Sequence, residues 1–98
     1  MKAFEFDPDK SAANHTKHGI DFVVAQNLWL VAGWEQPSPF LSELRLRRTG
    51  LYGDKYWTAV YTLRGKHIRL ISVRRARTAE VTFYEQAVSN NPGTDLEP

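Results

Sequence analysis

Val60–Ala76, VYTLRGKHIRLISVRRA, reads as a strand, a tight turn and a returning strand. Arg64-Gly65 closes the hairpin, and Lys66 to Arg74 returns. Alternation places Ile68, Leu70, Ser72 and Arg74 on one face of the returning strand, and Arg69, Ile71, Val73 and Arg75 on the other. The same stretch carries Arg64, Lys66, Arg69, Arg74 and Arg75 with no acid. From Arg45 to Arg77 there are ten Lys or Arg and one acid, Asp54, a local charge of +9. Residues 1–44 carry −3 and residues 78–98 carry −4, so the net charge of +2 hides a strong segregation. Like charges on neighbouring strands repel, and a polyanion, nucleic-acid phosphate foremost, is the natural partner for such a sheet.

Outward from the hairpin, Leu44 to Leu51 alternates Leu44 and Leu46 with Arg45 and Arg47, and Gly50, Gly53 and Asp54 mark a turn. Lys55 to Leu63 is rich in Trp, Thr, Val and Tyr and reads as the next strand. These connections are too short for a crossover, so the meander is antiparallel. Towards the N-terminus, Phe4 to Phe6 suggests a short first strand. Asp7 and Pro8 then suit the N-cap and first position of a helix that ends at His18, with Gly19 as its left-handed cap. Asp21 caps a second helix in which Phe22, Ala25, Leu28 and Trp29 recur at helical spacing and Gly33 closes the run. The two prolines of Glu35 to Phe40 mark a loop or sheet-edge stretch. A last helix fits Thr78 to Val88, with Val81, Tyr84 and Val88 as its apolar stripe. The order is β-α-α-β-β-β-α, an α+β domain over residues 1–88 with helices on a small antiparallel sheet, followed by a flexible tail, residues 89–98.

Ninety-eight residues suit one domain, and 42 % hydrophobic content with twelve aromatic side chains argues for a packed core. The absence of cysteine removes disulfides, thiol catalysis and Cys-ligated metals. The opening MKAFEFDPDK has an acid at position five and no apolar run, so it does not read as a signal peptide, and no stretch has the length of a membrane span. A cytoplasmic location is expected.

The arginines are the main candidates for chemistry, because Arg grips phosphate with two parallel hydrogen bonds and stays charged. The alternative is a set of surface arginines paired with Glu80 and Glu85. Lys17 and His18 stand at a helix C-terminus, where cations are favoured with or without a further role. His15, His18 and His67 do not form a metal-spaced set, and no cofactor is expected. Tyr61 and Tyr84 suit either the core or contacts to a base or phosphate. Trp34, beside the proline stretch, is the tryptophan expected to be most exposed.

Several pieces occur together: Phe4-Glu5-Phe6-Asp7-Pro8-Asp9-Lys10, Asn14, Lys17-His18-Gly19-Ile20-Asp21-Phe22 and Ala25, then Tyr61-Thr62, Arg64-Gly65, Ile68-Arg69, Ile71-Ser72, Arg74-Arg75-Ala76, Glu80 and Tyr84. In this order and spacing they resemble the BrnT family, toxins of bacterial type II toxin–antitoxin modules. The resemblance implies a RelE-like fold, ribonuclease activity and a cognate ribbon-helix-helix antitoxin, BrnA-like, that binds operator DNA and brings the toxin to it. The family often carries a Glu-Glu-Arg-aromatic run before the second strand. Here Glu43 and Arg45 alone carry over, and Gln36 to Phe40 replaces an acidic loop.

The expected chemistry is metal-independent cleavage of RNA, in which the 2′-OH attacks the adjacent phosphorus and leaves a 2′,3′-cyclic phosphate. Arg64, Arg69 and Arg74 are the expected clamp, and Lys17 or His18 the proton-transfer or leaving-oxygen group. Arg45, Tyr61, Arg75, Glu80 and Tyr84 are expected to bind RNA or orient the arginines. The other readings are a module that grips nucleic acid without cutting it and a catalytically dead protein that docks an antitoxin.

Overall fold

The computed structural model describes residues 3–37 and 45–89. Strand β1 (Ala3–Glu5) leads to helix α1 (Pro8–His18) and the short helix α2 (Phe22–Ala25), which tightens into a 3₁₀ turn at Gln26–Trp29. Strands β2 (Gly33–Pro37), β3 (Leu46–Tyr52), β4 (Lys55–Arg64) and β5 (His67–Arg75) follow, and helix α3 (Thr78–Ser89) ends the described chain. The sheet order is β1-β5-β4-β3-β2, antiparallel throughout except that β1 runs parallel to β5. The expected α+β class and element order are therefore present, and the sheet takes one further strand from Gly33–Pro37. Gly33 opens this strand and does not close the second helix. Arg48 explains the glycine, because a Cβ there would stand 2.6 Å from the Arg48 Cζ. Gly50 lies within β3, so the turn before β4 is Gly53-Asp54 alone. Ser89 belongs to α3. Leu44, Glu43, the rest of the proline stretch and residues 90–98 of the expected tail lie outside the described residues.

Local chemistry accounts for the N-terminal elements. The Asp7 carboxylate accepts the Asp9 N–H at 2.8 Å, and Gly19 caps α1 at φ 82°. The Asp21 carboxylate accepts the Val24 N–H at 2.8 Å and starts α2. At the β4–β5 turn Gly65 has φ 60°, the conformation a two-residue hairpin of this kind requires at its first central position.

One irregularity sets which side chains face where. The β4–β5 register pairs Val60 with Ser72 but Tyr61 with Leu70, so Ile71 is an extra residue, a β-bulge. The bulge overturns the simple alternation expected for β5. Ile68, Leu70 and Val73 share the buried face, with Arg75 beyond them, while Arg69, Ser72 and Arg74 share the other. The first face packs Trp57, Ala59 and Tyr61 of β4 and these β5 residues against Ile20, Phe22, Ala25 and Leu28. Edge-on aromatic contacts extend it, Phe6 to Phe22 at 5.6 Å and Trp29 to both Phe4 and Tyr61. Helix α3 covers part of the opposite face. Phe83 stacks on Trp34 at 5.2 Å, which leaves Trp34 half-buried, and Tyr84 meets Tyr56 edge-on.

Strand β1 covers the edge of β5 over His67–Arg69. Beyond it the buried Asn14 side chain does the work of a strand. Its Oδ1 accepts the Val73 N–H at 3.1 Å, and its Nδ2 donates to the carbonyls of Val73 at 2.9 Å and Ile20 at 2.8 Å. The Ser11 hydroxyl accepts the Phe22 N–H at 2.9 Å one turn earlier. Asn14→Ala would strand these buried backbone groups, and a loss of about 2–3 kcal/mol in urea unfolding is expected, with Asn14→Asp also impaired because a carboxylate cannot donate.

Candidate nucleic-acid interface

The face opposite the core carries two groups of cations at the two ends of β5. At the α3 end, Glu80 gathers the side chains of three strands. Its Oε1 accepts from Arg74 Nη1 at 2.8 Å, Thr58 Oγ1 at 2.9 Å and the Arg77 N–H at 2.8 Å. Its Oε2 accepts from Arg74 Nη2 and Arg47 Nη1, each at 2.9 Å. Thr58 gives its one proton to the carboxylate, so Thr49, 2.8 Å away and opposite it in the sheet, must donate to Thr58. Arg77 accepts the Val81 N–H through its carbonyl and acts as the N-cap of α3, which puts Glu80 at the third helical position. Thr78 is therefore the first helical residue.

Glu80 is 3 % exposed. Burial alone would raise its pKa. The Arg74 hydrogen bonds, the Arg77 amide and the Thr58 hydroxyl outweigh that effect and hold it down at about 2. The Arg74 fork is thus committed to Glu80, and Nη1 also reaches the Arg75 carbonyl at 3.3 Å. Arg47 was missed in the sequence as a member of this group, although alternation from Arg45 puts both on one face. Its buried Nε has no partner among the described residues.

At the hairpin end, Lys10, Arg45, Thr62, Leu63, Arg64, Arg69 and Ile71 line a cleft of about 370 Å³. Glu5 pairs with Arg69 at 3.2 Å and with Arg64 at 3.8 Å, both partly exposed contacts of small energetic worth. Arg64 keeps 59 % of its side-chain exposure. The sequence marked Arg45, Arg64 and Arg69, and the fold adds Lys10 from the first turn of α1.

The remaining candidates are dispersed. Arg75 lies over the Trp57 ring at 5.6 Å on the core face. Lys17 and His18 occupy the last turn of α1, and among the described residues no hydrogen bond or ion pair joins them to the arginines. Lys10 stands beside Arg69, and Asn14 is bonded to Val73, so α1 advances along β5 towards Arg75. His18 is then about 12 Å along the helix from Lys10. Tyr61 is 3 % exposed and gives its hydroxyl proton to Glu35 Oε2 at 2.8 Å. Burial and then that bond push its pKa well above that of an ordinary tyrosine. Tyr84 is buried on the α3 side, and Glu85 accepts from the Tyr56 hydroxyl rather than from an arginine. Among the described residues no group of three His, Asp or Glu is placed to hold a metal ion, and no helix is long and apolar enough to cross a membrane.

The depressed Glu80 pKa fixes a pH dependence. A carboxylate with a folded pKa near 2 and an ordinary value of 4.5 contributes its stability above pH 4.5 and loses it as pH falls towards 2. Glu80→Gln is expected to cost on the order of 3 kcal/mol at neutral pH, because Arg47 and Arg74 are left buried without a counter-charge. The stability gap between the two proteins should close between pH 4.5 and pH 2, and a gap that stays constant across that range would show that the carboxylate charge is not what holds α3.

Comparison with known families matches residues 6–80 to the model described as ribonuclease toxin, BrnT, of type II toxin-antitoxin system. Comparison with curated proteins gives no match. The matched segment runs from the end of β1 through the sheet to Glu80 and so includes both cation groups and most of the core. The chain belongs to the BrnT family of ribonuclease toxins, whose type II modules pair each toxin with an antitoxin.

Proposed function

We propose that this chain is a metal-independent endoribonuclease and that the cleft at the hairpin end holds the scissile phosphate. One observation carries the reading. Lys10, Arg45, Arg64 and Arg69 converge on one open cleft, where Glu5 pairs loosely with Arg64 and Arg69. RNA supplies its own nucleophile, so the protein must hold the phosphate in line and stabilise charge on its equatorial oxygens. Arg64 and Arg69 take those oxygens. Lys10, an exposed ammonium at the rim, neutralises the leaving 5′-oxygen. The new P–O bond to the 2′-oxygen forms as the bond to the 5′-oxygen breaks. The 2′-hydroxyl proton leaves to water and the 5′-oxygen takes a proton from water beside the Lys10 ammonium, giving a 2′,3′-cyclic phosphate and a 5′-hydroxyl.

The distance along β5 divides the candidates. Arg69 and Arg75 are six residues apart, about 20 Å of strand, so one phosphate cannot meet both ends. Lys17 and His18 are placed on flanking phosphates in this reading, while Arg74 stays bound to Glu80 in the scaffold and Arg75 stays over Trp57 on the core face. The inferred partner is a ribbon-helix-helix antitoxin of the BrnA type, with operator DNA met through the complex, and growth inhibition through RNA cleavage is the inferred outcome.

Purified chain in excess EDTA is expected to cut total RNA. Arg64→Ala with Arg69→Ala should slow cutting by about 10²–10³-fold with the melting curve retained. Lys17→Ala with His18→Ala should weaken RNA binding more than turnover of bound RNA. If that second pair instead abolishes turnover while binding persists, the scissile phosphate lies at the α1 C-terminus, with His18 as the acid/base. Salt-dependent binding without cleavage by the wild-type chain would make it a binding module.

A further inference from the structure

A second cleft, of about 310 Å³, lies on the core face at the same end of the sheet and is lined by Trp29, Glu35, Leu46, Arg48, Tyr61, Leu63 and Ile68. Leu63 lines this cleft and the cationic one alike, so the two adjoin across the end of β4. We propose that this cleft is a subsite for one unpaired nucleobase bearing an exocyclic amino group, next to the phosphate held by Arg64 and Arg69. The proposal rests on the RNA-binding reading above and adds a base preference to it.

The lining matches a planar, neutral, amphipathic group. Leu46, Leu63 and Ile68 give apolar walls, and Trp29 stands edge-on to Tyr61 at 5.2 Å. Arg48 cannot serve as a phosphate clamp. Its Nε donates to the Leu28 carbonyl at 2.9 Å, its Nη2 to the Val31 carbonyl at 3.0 Å and its Nη1 to Glu35 Oε2 at 3.0 Å. Its guanidinium also lies 5.7 Å from the Trp29 ring centre.

These bonds fix Glu35 as the recognising group. Its Oε2 is occupied by Arg48 and by the Tyr61 hydroxyl. Its Oε1 has no partner among the described residues, and the side chain is 42 % exposed. A carboxylate oxygen held in this way accepts and cannot donate. It favours the N4 amino group of cytosine and opposes the O4 carbonyl that uracil presents in the same place. Adenine and guanine also carry amino groups and belong to the accepted class.

The test uses the full chain and short 2′-O-methyl oligonucleotides, in which the nucleophile is blocked and binding is read without turnover. Fluorescence anisotropy at fixed salt is expected to show oligocytidylate bound about tenfold more tightly than oligouridylate. Glu35→Gln keeps an acceptor for Tyr61 but presents a donor as well, and should bring the ratio to within about twofold. Leu63→Ala, at an exposed wall, should weaken both oligomers and serves if Glu35→Gln does not fold. Equal affinities in the wild type, or a ratio unchanged in Glu35→Gln, would overturn the base subsite and leave Arg64- and Arg69-dependent cleavage intact. Failure of the wild type to bind either oligomer would overturn the RNA reading and the subsite together.

Discussion

The Glu80 carboxylate is the point on which the arrangement of the basic face depends. It joins β3 through Arg47, β4 through Thr58, β5 through Arg74 and the start of α3 through the Arg77 amide. A sheet with this many cations would otherwise face repulsion between neighbouring strands. One buried anion shared by two arginines removes most of it locally and fixes α3 at one end of the face. A buried ion pair of this kind is not a net source of stability compared with a well-packed apolar cluster, but removing one partner is costly. Its contribution is therefore positional. It commits Arg47 and Arg74 to the scaffold, whereas Arg64 at the hairpin end keeps more than half of its side-chain exposure.

The two ends of β5 differ in how tightly their arginines are held. Arg74 has 17 % side-chain exposure and a bidentate partner, whereas Arg64 has 59 % and a partner at 3.8 Å. A phosphate that reached Arg64 and Arg69 would compete with Glu5 for them, through contacts that solvent already weakens. At the α3 end it would have to displace a carboxylate held by five hydrogen bonds. The Ile71 bulge makes the contrast possible by bringing Arg69 and Arg74 to one face while Leu70 and Val73 stay together in the core.

Much of this was legible in the residues, and what was not has identifiable causes. Asp7, Pro8, Gly19 and Asp21 mark helix ends through local chemistry, and the structure follows them. Gly65 fixes the hairpin for the same reason. The faces of β5 were misread because alternation assumes an unbroken register, and nothing in HIRLISVRR signals an inserted residue. Gly33 looked like a helix stop, but its role is to admit the Arg48 guanidinium, a contact between residues fifteen apart. The charge window and the motif order pointed to the arginines and the family. They could not rank the arginines, because the ranking depends on which ones Glu80 and Glu5 reach. Asn14 and Lys10 were visible only as parts of a motif, since their roles arise when α1 docks along β5.

The chemistry of the cut ends tests the central claim most directly. If the cleft holds a phosphate attacked by its own neighbouring 2′-oxygen, mass spectrometry of RNA cut in EDTA will find 2′,3′-cyclic phosphate on one side of each cut and 5′-hydroxyl on the other. Products ending in 3′-hydroxyl and 5′-phosphate would mean that water is the nucleophile and that the cationic cleft does not work as described.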